Sequence, residues 1–171
     1  LFPVKLVLRT AASLVASRDE YKLLGQDVEE NDDGDTEYDV IHLEDLREEC
    51  LKVARYAKSR FEWMDARLGV NMGERLSVGL PDWKGDPAKV KKQAERFVSQ
   101  FVGSVRNMGQ GLPFELGLLS VDDEGEVKFT ENGAQFMLLE NPLFDSPATW
   151  KDGESFTLQE KEFLIHTIQR N

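Results

Sequence analysis

The chain of 171 residues is 40% hydrophobic and 31% charged, an ordinary profile for a folded protein with one substantial core or two small ones. No apolar run approaches the roughly 18–20 residues that span a bilayer, which excludes a membrane-spanning helix, and the single Cys50 excludes an internal disulfide bond. The net charge of −11 is segmental: residues 1–18 carry +3, 19–51 carry −12, 52–106 carry +6 and 107–171 carry −8. A basic centre between two acidic flanks keeps nucleic acid among the candidate partners.

The N-terminal part predicts a helix followed by an acidic loop. The helix covers residues 3–18, and its apolar positions form one face: Val4, Val7, Leu8, Ala11, Leu14 and Val15. The run DVEENDDGDTEYD at 27–39 predicts a solvated loop, with an acidic partner-binding or DNA-mimicking segment as the alternative. Tyr38, Val40 and Ile41 predict a short strand after it.

A long helix is predicted from about Leu43 to Leu68. The members of its apolar seam recur at steps of three and four: Leu46, Cys50, Val53, Ala57, Phe61, Met64 and Leu68. Bases that project away from this seam predict a solvated face: Lys52, Arg55, Arg60 and Arg67. Gly69 and Gly73 end the helix, and residues 76–81 are either a short strand or an ordered connection.

Asp86 and Pro87 are a helix start signal, because an acidic cap precedes a proline at the first helical position. The helix is predicted to run to about Asn107 and to bury a stripe of apolar residues: Val90, Ala94, Phe97, Phe101 and Val105. Near the end of the chain, the tetrad Thr157-Leu158-Gln159-Glu160 is a capping box that predicts a last helix.

The segment 118–139, LLSVDDEGEVKFTENGAQFMLL, predicts a β-hairpin followed at once by a short helix. Two strands with alternating apolar residues flank the acidic turn that ends at Gly125. Thr130 is suited to cap the next helix, and Gly133 in its first turn would allow a close approach to the strand.

This segment resembles the wing of a winged-helix domain, whose second wing strand commonly ends in a (V/W)-x-L-T-x-x-G-x-x-(F/L) run. The corresponding residues are 127–136, VKFTENGAQF. The resemblance implies a mainly α fold with a small antiparallel hairpin, in the α+β class. We expect a helical N-terminal region at 1–85, a winged-helix-like unit at 86–145, and a C-terminal linker and helix at 146–171. The region 1–85 has an alternative as a degenerate first winged unit in a tandem pair.

Catalysis is not expected within this segment. The chain starts at Leu1 without a leader, so we expect it to be part of a longer cytoplasmic protein. Catalytic parts of that protein would lie outside this segment. His42 and His166 are 124 positions apart, and one cysteine with two distant histidines does not form a zinc motif. The glycines match neither of the common phosphate-binding loops. The acidic run 32–35 lacks the glutamate and the oxygen spacing of a calcium loop. We expect no cofactor and no metal.

DNA binding is the leading functional expectation. A DNA-binding winged helix places one helix in the major groove, and basic side chains supply the phosphate contacts. The primary candidates are Lys89, Lys91, Lys92 and Arg96 on the helix that starts at Pro87, and the secondary candidates are Arg75, Lys84 and Arg106. The four carboxylates at 122–126 oppose this function, since they would repel phosphate. The alternative is a winged-helix protein-interaction or scaffolding module in a multisubunit DNA-processing or regulatory complex. Its partner would be another protein or a second copy of the chain, and no membrane partner is expected.

Overall fold

The computed structural model describes residues 2–23, 41–69, 71, 73, 77–103, 111–139 and 157–170. It is mainly helical with a small three-stranded antiparallel sheet, which confirms the α+β class. The predicted acidic loop at 27–39 lies outside the described residues, as do Tyr38 and Val40.

Helix α1, Phe2–Leu23, lies at the centre of the molecule. It starts and ends outside the predicted bounds of 3–18, and its first two turns are buried on every side instead of along one face. This happens because helices and strands from the rest of the chain contact α1 from several directions. Lys5 is consequently buried with the apolar residues, which a one-sided apolar pattern does not predict.

Strand β1, Ile41–His42, leads directly into helix α2, Leu43–Leu68, whose bounds are those that the sequence predicts. Most of the predicted seam is buried or partly buried, but Leu68 at its end is exposed. Gly69 closes the helix in the left-handed region, with φ of 65°, where glycine has no steric penalty. Residues 77–81 form a turn and an irregular connection, so the ordered connection is confirmed for the described part of 76–81.

Helix α3, Pro87–Phe101, starts at the predicted cap, where the Asp86 side chain accepts a hydrogen bond from the Ala88 N–H at 3.3 Å. It ends well before Asn107, because the chain turns at Gly103 with φ of 106°. Val105 lies outside the described residues. A short helix α4, Leu112–Glu115, which the sequence did not predict, precedes the hairpin.

The hairpin consists of β2, Leu119–Val121, and β3, Glu126–Phe129. Strand β1 pairs with the free side of β3, with Ile41 opposite Val127, so the sheet order is β1-β3-β2. The sheet therefore joins a strand near residue 41 to a hairpin near residue 125.

Helix α5, Glu131–Leu138, starts as predicted. The Thr130 hydroxyl accepts a hydrogen bond from the Gly133 N–H at 3.0 Å. A Cβ atom on Gly133 would lie 1.9 Å from the carbonyl oxygen of Leu118, so only glycine permits this close approach of helix to strand.

Helix α6, Leu158–Arg170, starts with the predicted capping box. The Thr157 N–H donates to Glu160 Oε2 at 2.7 Å, and the Glu160 N–H donates to the Thr157 hydroxyl at 3.2 Å. Glu160 also contacts Lys5 of α1: Lys5 Nζ lies 2.8 Å from Oε1 and donates to Oε2 at 2.9 Å, and both side chains are fully buried. A buried ion pair thus links the start of α6 to α1.

The described apolar core is one continuous cluster. It includes Val7 of α1, Phe61 of α2, Phe97 of α3, Phe136 of α5 and Leu164 of α6. Residues on both sides of position 85 therefore share one core and one sheet.

Candidate nucleic-acid interface

Three of the four primary candidates lie on one exposed face of α3. Because successive helical residues turn by about 100°, Lys89, Lys92 and Arg96 fall within a sector of roughly 60°, opposite the buried Phe97, Val98 and Phe101. None of the three forms an ion pair with a carboxylate among the described residues. We call Lys89, Lys92 and Arg96 the α3 basic face.

Lys91 lies outside this face. It is exposed on the other side of the helix, and its Nζ is 4.0 Å from the carboxylate of Glu95, four residues later. The structure therefore brings three of the primary candidates together and separates the fourth.

Helix α3 is held in place by its core side and by the preceding loop. The rings of Phe97 and Phe101 pack 5.6 Å apart, and the Asp82 N–H donates to Gln93 Oε1 at 2.7 Å. The carboxylate of Asp86 occupies the start of the helix, where the dipole is positive. The expected contribution of the helix dipole to phosphate binding is therefore partly neutralised, and the side chains of the basic face must supply the attraction.

The secondary candidates do not add to the basic face. Lys84 Nζ lies 2.8 Å from Glu62 Oε2, and this hydrogen bond and ion pair raise the pKa of Lys84. Its charge is balanced by α2 and is not free for a phosphate. Arg75 and Arg106 lie outside the described residues.

Asp122 holds the acidic hairpin turn together through hydrogen bonds from the backbone of the turn. Asp122 accepts hydrogen bonds from the backbone N–H groups of Glu126 at 2.9 Å and Glu124 at 3.1 Å. These bonds, the Glu126 bond foremost, and the ammonium of Lys128 lower the pKa of Asp122. Lys128 Nζ also lies 3.1 Å from Glu126 Oε2 and 3.3 Å from Asp122 Oδ2, so the one base on the hairpin is neutralised by its neighbours. The turn is therefore acidic, and Lys128 offers no free positive charge to a phosphate.

Helix α2 carries a second group of bases, which sequence reasoning assigned to a solvated face. The guanidinium groups of Arg60 and Arg67 lie 4.4 and 5.4 Å from the ring centroid of Trp63, and that of Arg55 lies 4.6 Å from the ring centroid of Trp83. The signal that could have found this arrangement is the spacing of Arg60, Trp63 and Arg67, which places all three on the same side of the helix.

The described residues offer no evident catalytic or metal site. They contain no group of three or more potential metal ligands, and His42 and His166 are exposed on separate elements. Burial raises the pKa of the Cys50 thiol to about 12, which excludes a thiolate nucleophile near neutral pH. None of the described helices combines the length and apolar character that a membrane crossing requires.

Comparisons of the chain with protein-family models, with curated proteins and with solved structures give no match.

Proposed function

We propose that the chain contains one winged-helix unit, spanning α1 to α5, which binds double-stranded DNA through the α3 basic face. The observation that carries the proposal is the contrast in pairing: Lys89, Lys92 and Arg96 have no carboxylate partner among the described residues, whereas Lys52, Lys84 and Lys128 do. Unpaired, exposed bases on one helical face are what phosphate contact requires.

The arrangement of elements supports a winged-helix unit. The hairpin that resembles a wing is part of a three-stranded sheet, and helices from both halves of the chain pack with that sheet around one core. The acidic turn at 122–126 would be repelled by phosphate, so in this proposal the hairpin tip points away from the duplex and α3 provides the contact.

The size of the basic face sets the expected salt dependence. Neutralisation of three phosphates predicts a slope of about −2.7 for log K against log salt concentration. Between 50 and 200 mM salt, the affinity should then fall by a factor of about 40. A much steeper slope would mean that more bases take part than α3 supplies.

The proposal is tested by fluorescence anisotropy of a labelled duplex over this salt range. The variant Lys89→Gln/Lys92→Gln/Arg96→Gln should abolish binding at 200 mM salt and flatten the salt dependence. The matched control is Lys91→Gln, because it removes an exposed base from the same helix outside the basic face. Failure of the unmodified chain to bind duplex DNA at 50 mM salt, or equal losses in the two variants, would refute the proposal.

A protein-interaction module is the second candidate, and α6 favours it. Leu158, Ile165 and Ile168 are 70%, 54% and 56% exposed and fall within roughly 80° on the outer side of the helix. Exposed apolar residues on one face are typical of a protein contact. If this face joins two copies of the chain, sedimentation equilibrium should detect a dimer that Ile165→Glu dissociates, and a monomer at all concentrations would exclude self-association through α6.

A further inference from the structure

The outer face of α2 combines exposed aromatic rings with arginines. Tyr56, Arg60, Trp63 and Arg67 follow one another at steps of four, three and four, and they lie within a sector of roughly 60°. Tyr56 is 59% exposed and Trp63 is 47% exposed, although both are large side chains that are usually covered in a folded protein. We call these four residues the α2 aromatic face.

The charge of this face is not balanced by neighbouring carboxylates. Arg60 and Arg67 stack over Trp63, and neither forms an ion pair with a carboxylate among the described residues. The two acids on this part of α2 are engaged elsewhere. Glu62 binds Lys84, and Asp65 accepts a hydrogen bond from the Gly73 N–H at 2.7 Å. The outer face thus presents net positive charge on a protein whose total charge is −11.

From this arrangement we propose that the α2 aromatic face binds single-stranded nucleic acid, in which an unpaired base replaces a guanidinium group over Trp63 and phosphates are bound by Arg60 and Arg67. Base stacking on an aromatic ring together with backbone contact to arginine is the common chemistry of single-strand recognition. A duplex is the wrong occupant, because its bases are already stacked on one another and present only their edges. An acidic peptide would satisfy the arginines but would gain nothing from the indole ring, over which both guanidinium groups lie.

The α2 aromatic face is separate from the α3 basic face. The α2 side chains that contact the segment 77–86 before α3 include Arg55, which lies over Trp83, and Glu62, which binds Lys84. Both project from a different side of α2 than Trp63 does. Single-strand binding therefore goes beyond the proposed duplex contact and does not depend on it.

The test is a titration of the full chain with a labelled 20-nucleotide oligothymidylate at about 50 mM salt, followed by anisotropy and by intrinsic tryptophan fluorescence. Trp63→Ala should weaken binding about tenfold or more and remove most of the fluorescence quenching that the oligonucleotide causes. Arg60→Gln/Arg67→Gln should weaken binding but leave quenching at saturation. Trp83→Phe is the control, because Trp83 is half-buried and lies off this face. Circular dichroism checks that each variant is folded.

An abasic oligonucleotide of the same length separates stacking from charge. Weaker binding of the abasic chain supports the proposal, whereas equal binding would show that only the phosphates matter and would overturn it. Unchanged affinity in both Trp63→Ala and Arg60→Gln/Arg67→Gln would also overturn it. The variant Lys89→Gln/Lys92→Gln/Arg96→Gln should keep oligothymidylate binding, so the duplex and single-strand proposals fail independently. Loss of oligothymidylate binding in that variant would place the contact on α3 and reject the α2 site.

Discussion

The buried ion pair between Lys5 and Glu160 gives the sharpest test of the fold. Glu160→Gln removes the charge but keeps a side chain that can complete the capping box with Thr157. Lys5→Met removes the ammonium and keeps an unbranched apolar side chain of similar length. Each single change removes one of the two charges and leaves the other buried, and the double change removes both.

The distances set the expected energies. At 2.8 Å and an effective dielectric constant of about 20, the attraction between the two charges is about 6 kcal/mol. The cost of removing both ions from water is several kcal/mol for each, so the pair as a whole contributes little net stability. Removing one partner loses the attraction while the other charge remains buried. Each single variant should therefore lower the free energy of unfolding by about 3–5 kcal/mol.

Urea unfolding at pH 7, followed by circular dichroism, measures these changes, and the four proteins form a double-mutant cycle. The double variant should be more stable than the sum of the two single losses predicts, with a coupling energy above about 1 kcal/mol. Lys52→Met is the control for removing a paired lysine, since Lys52 binds Glu48 and Glu49 on the exposed surface. This control should be indistinguishable from the unmodified chain.

The reasoning would be refuted if each single variant lost less than about 1 kcal/mol of unfolding free energy and the two losses added in the double variant. A surface ion pair behaves in this way. The result would mean that α6 does not dock on α1 in solution through these two side chains.

Three further predictions concern the sheet and the core. Gly133→Ala should destabilise the protein, although alanine usually stabilises a helix by about 1 kcal/mol relative to glycine, because the added Cβ would lie 1.9 Å from the Leu118 carbonyl oxygen; a raised Tm would contradict this packing. Thr130→Ala should cost about 1 kcal/mol through loss of the helix cap, and Thr130→Ser should restore most of it. The folded pKa of Cys50, about 12, lies above its ordinary value of 9.0. The Cys50 contribution to stability should therefore be complete below pH 9 and fall above it by up to about 1.4 kcal/mol per pH unit. When the free energy of unfolding is measured against pH, the Cys50→Ala variant should lack this fall above pH 9. Equal slopes above pH 9 for the variant and the unmodified chain would contradict the prediction.

Local signals in the sequence predicted the elements whose ends are determined by short-range chemistry. The caps at Asp86 and Thr130 and the capping box at Thr157 follow from a side chain that bonds a backbone group within a few residues. The end of α2 follows from Gly69, which takes the left-handed conformation there. The sequence also predicted a close approach at Gly133, and the atom approached is the carbonyl oxygen of Leu118, next to strand β2.

The features that the sequence did not predict depend on residues far apart in the chain. A short strand at Ile41 was predicted, but its pairing with β3, more than 80 positions later, was not. The burial of Lys5 was not predicted, because nothing near it in the sequence indicates that Glu160, 155 positions away, binds it. Helix α3 ends before its apolar pattern does, since the turn at Gly103 redirects the chain.

Ion pairs also reduce the number of bases in the segment 52–106 that are available to bind DNA. The segment 52–106 has a net charge of +6, which suggests a broad basic surface. Pairing reduces that surface, because Lys52, Lys84 and Lys91 each lie within 4.0 Å of a carboxylate. The bases of this segment that remain on the described helices are the α3 basic face, the arginines of the α2 aromatic face, Arg55 over Trp83, and Lys58, which donates to the Ser77 hydroxyl. A salt slope near −3 for duplex DNA would agree with contact through the α3 basic face alone, whereas a slope near −5 would require bases outside that face to contact the same duplex.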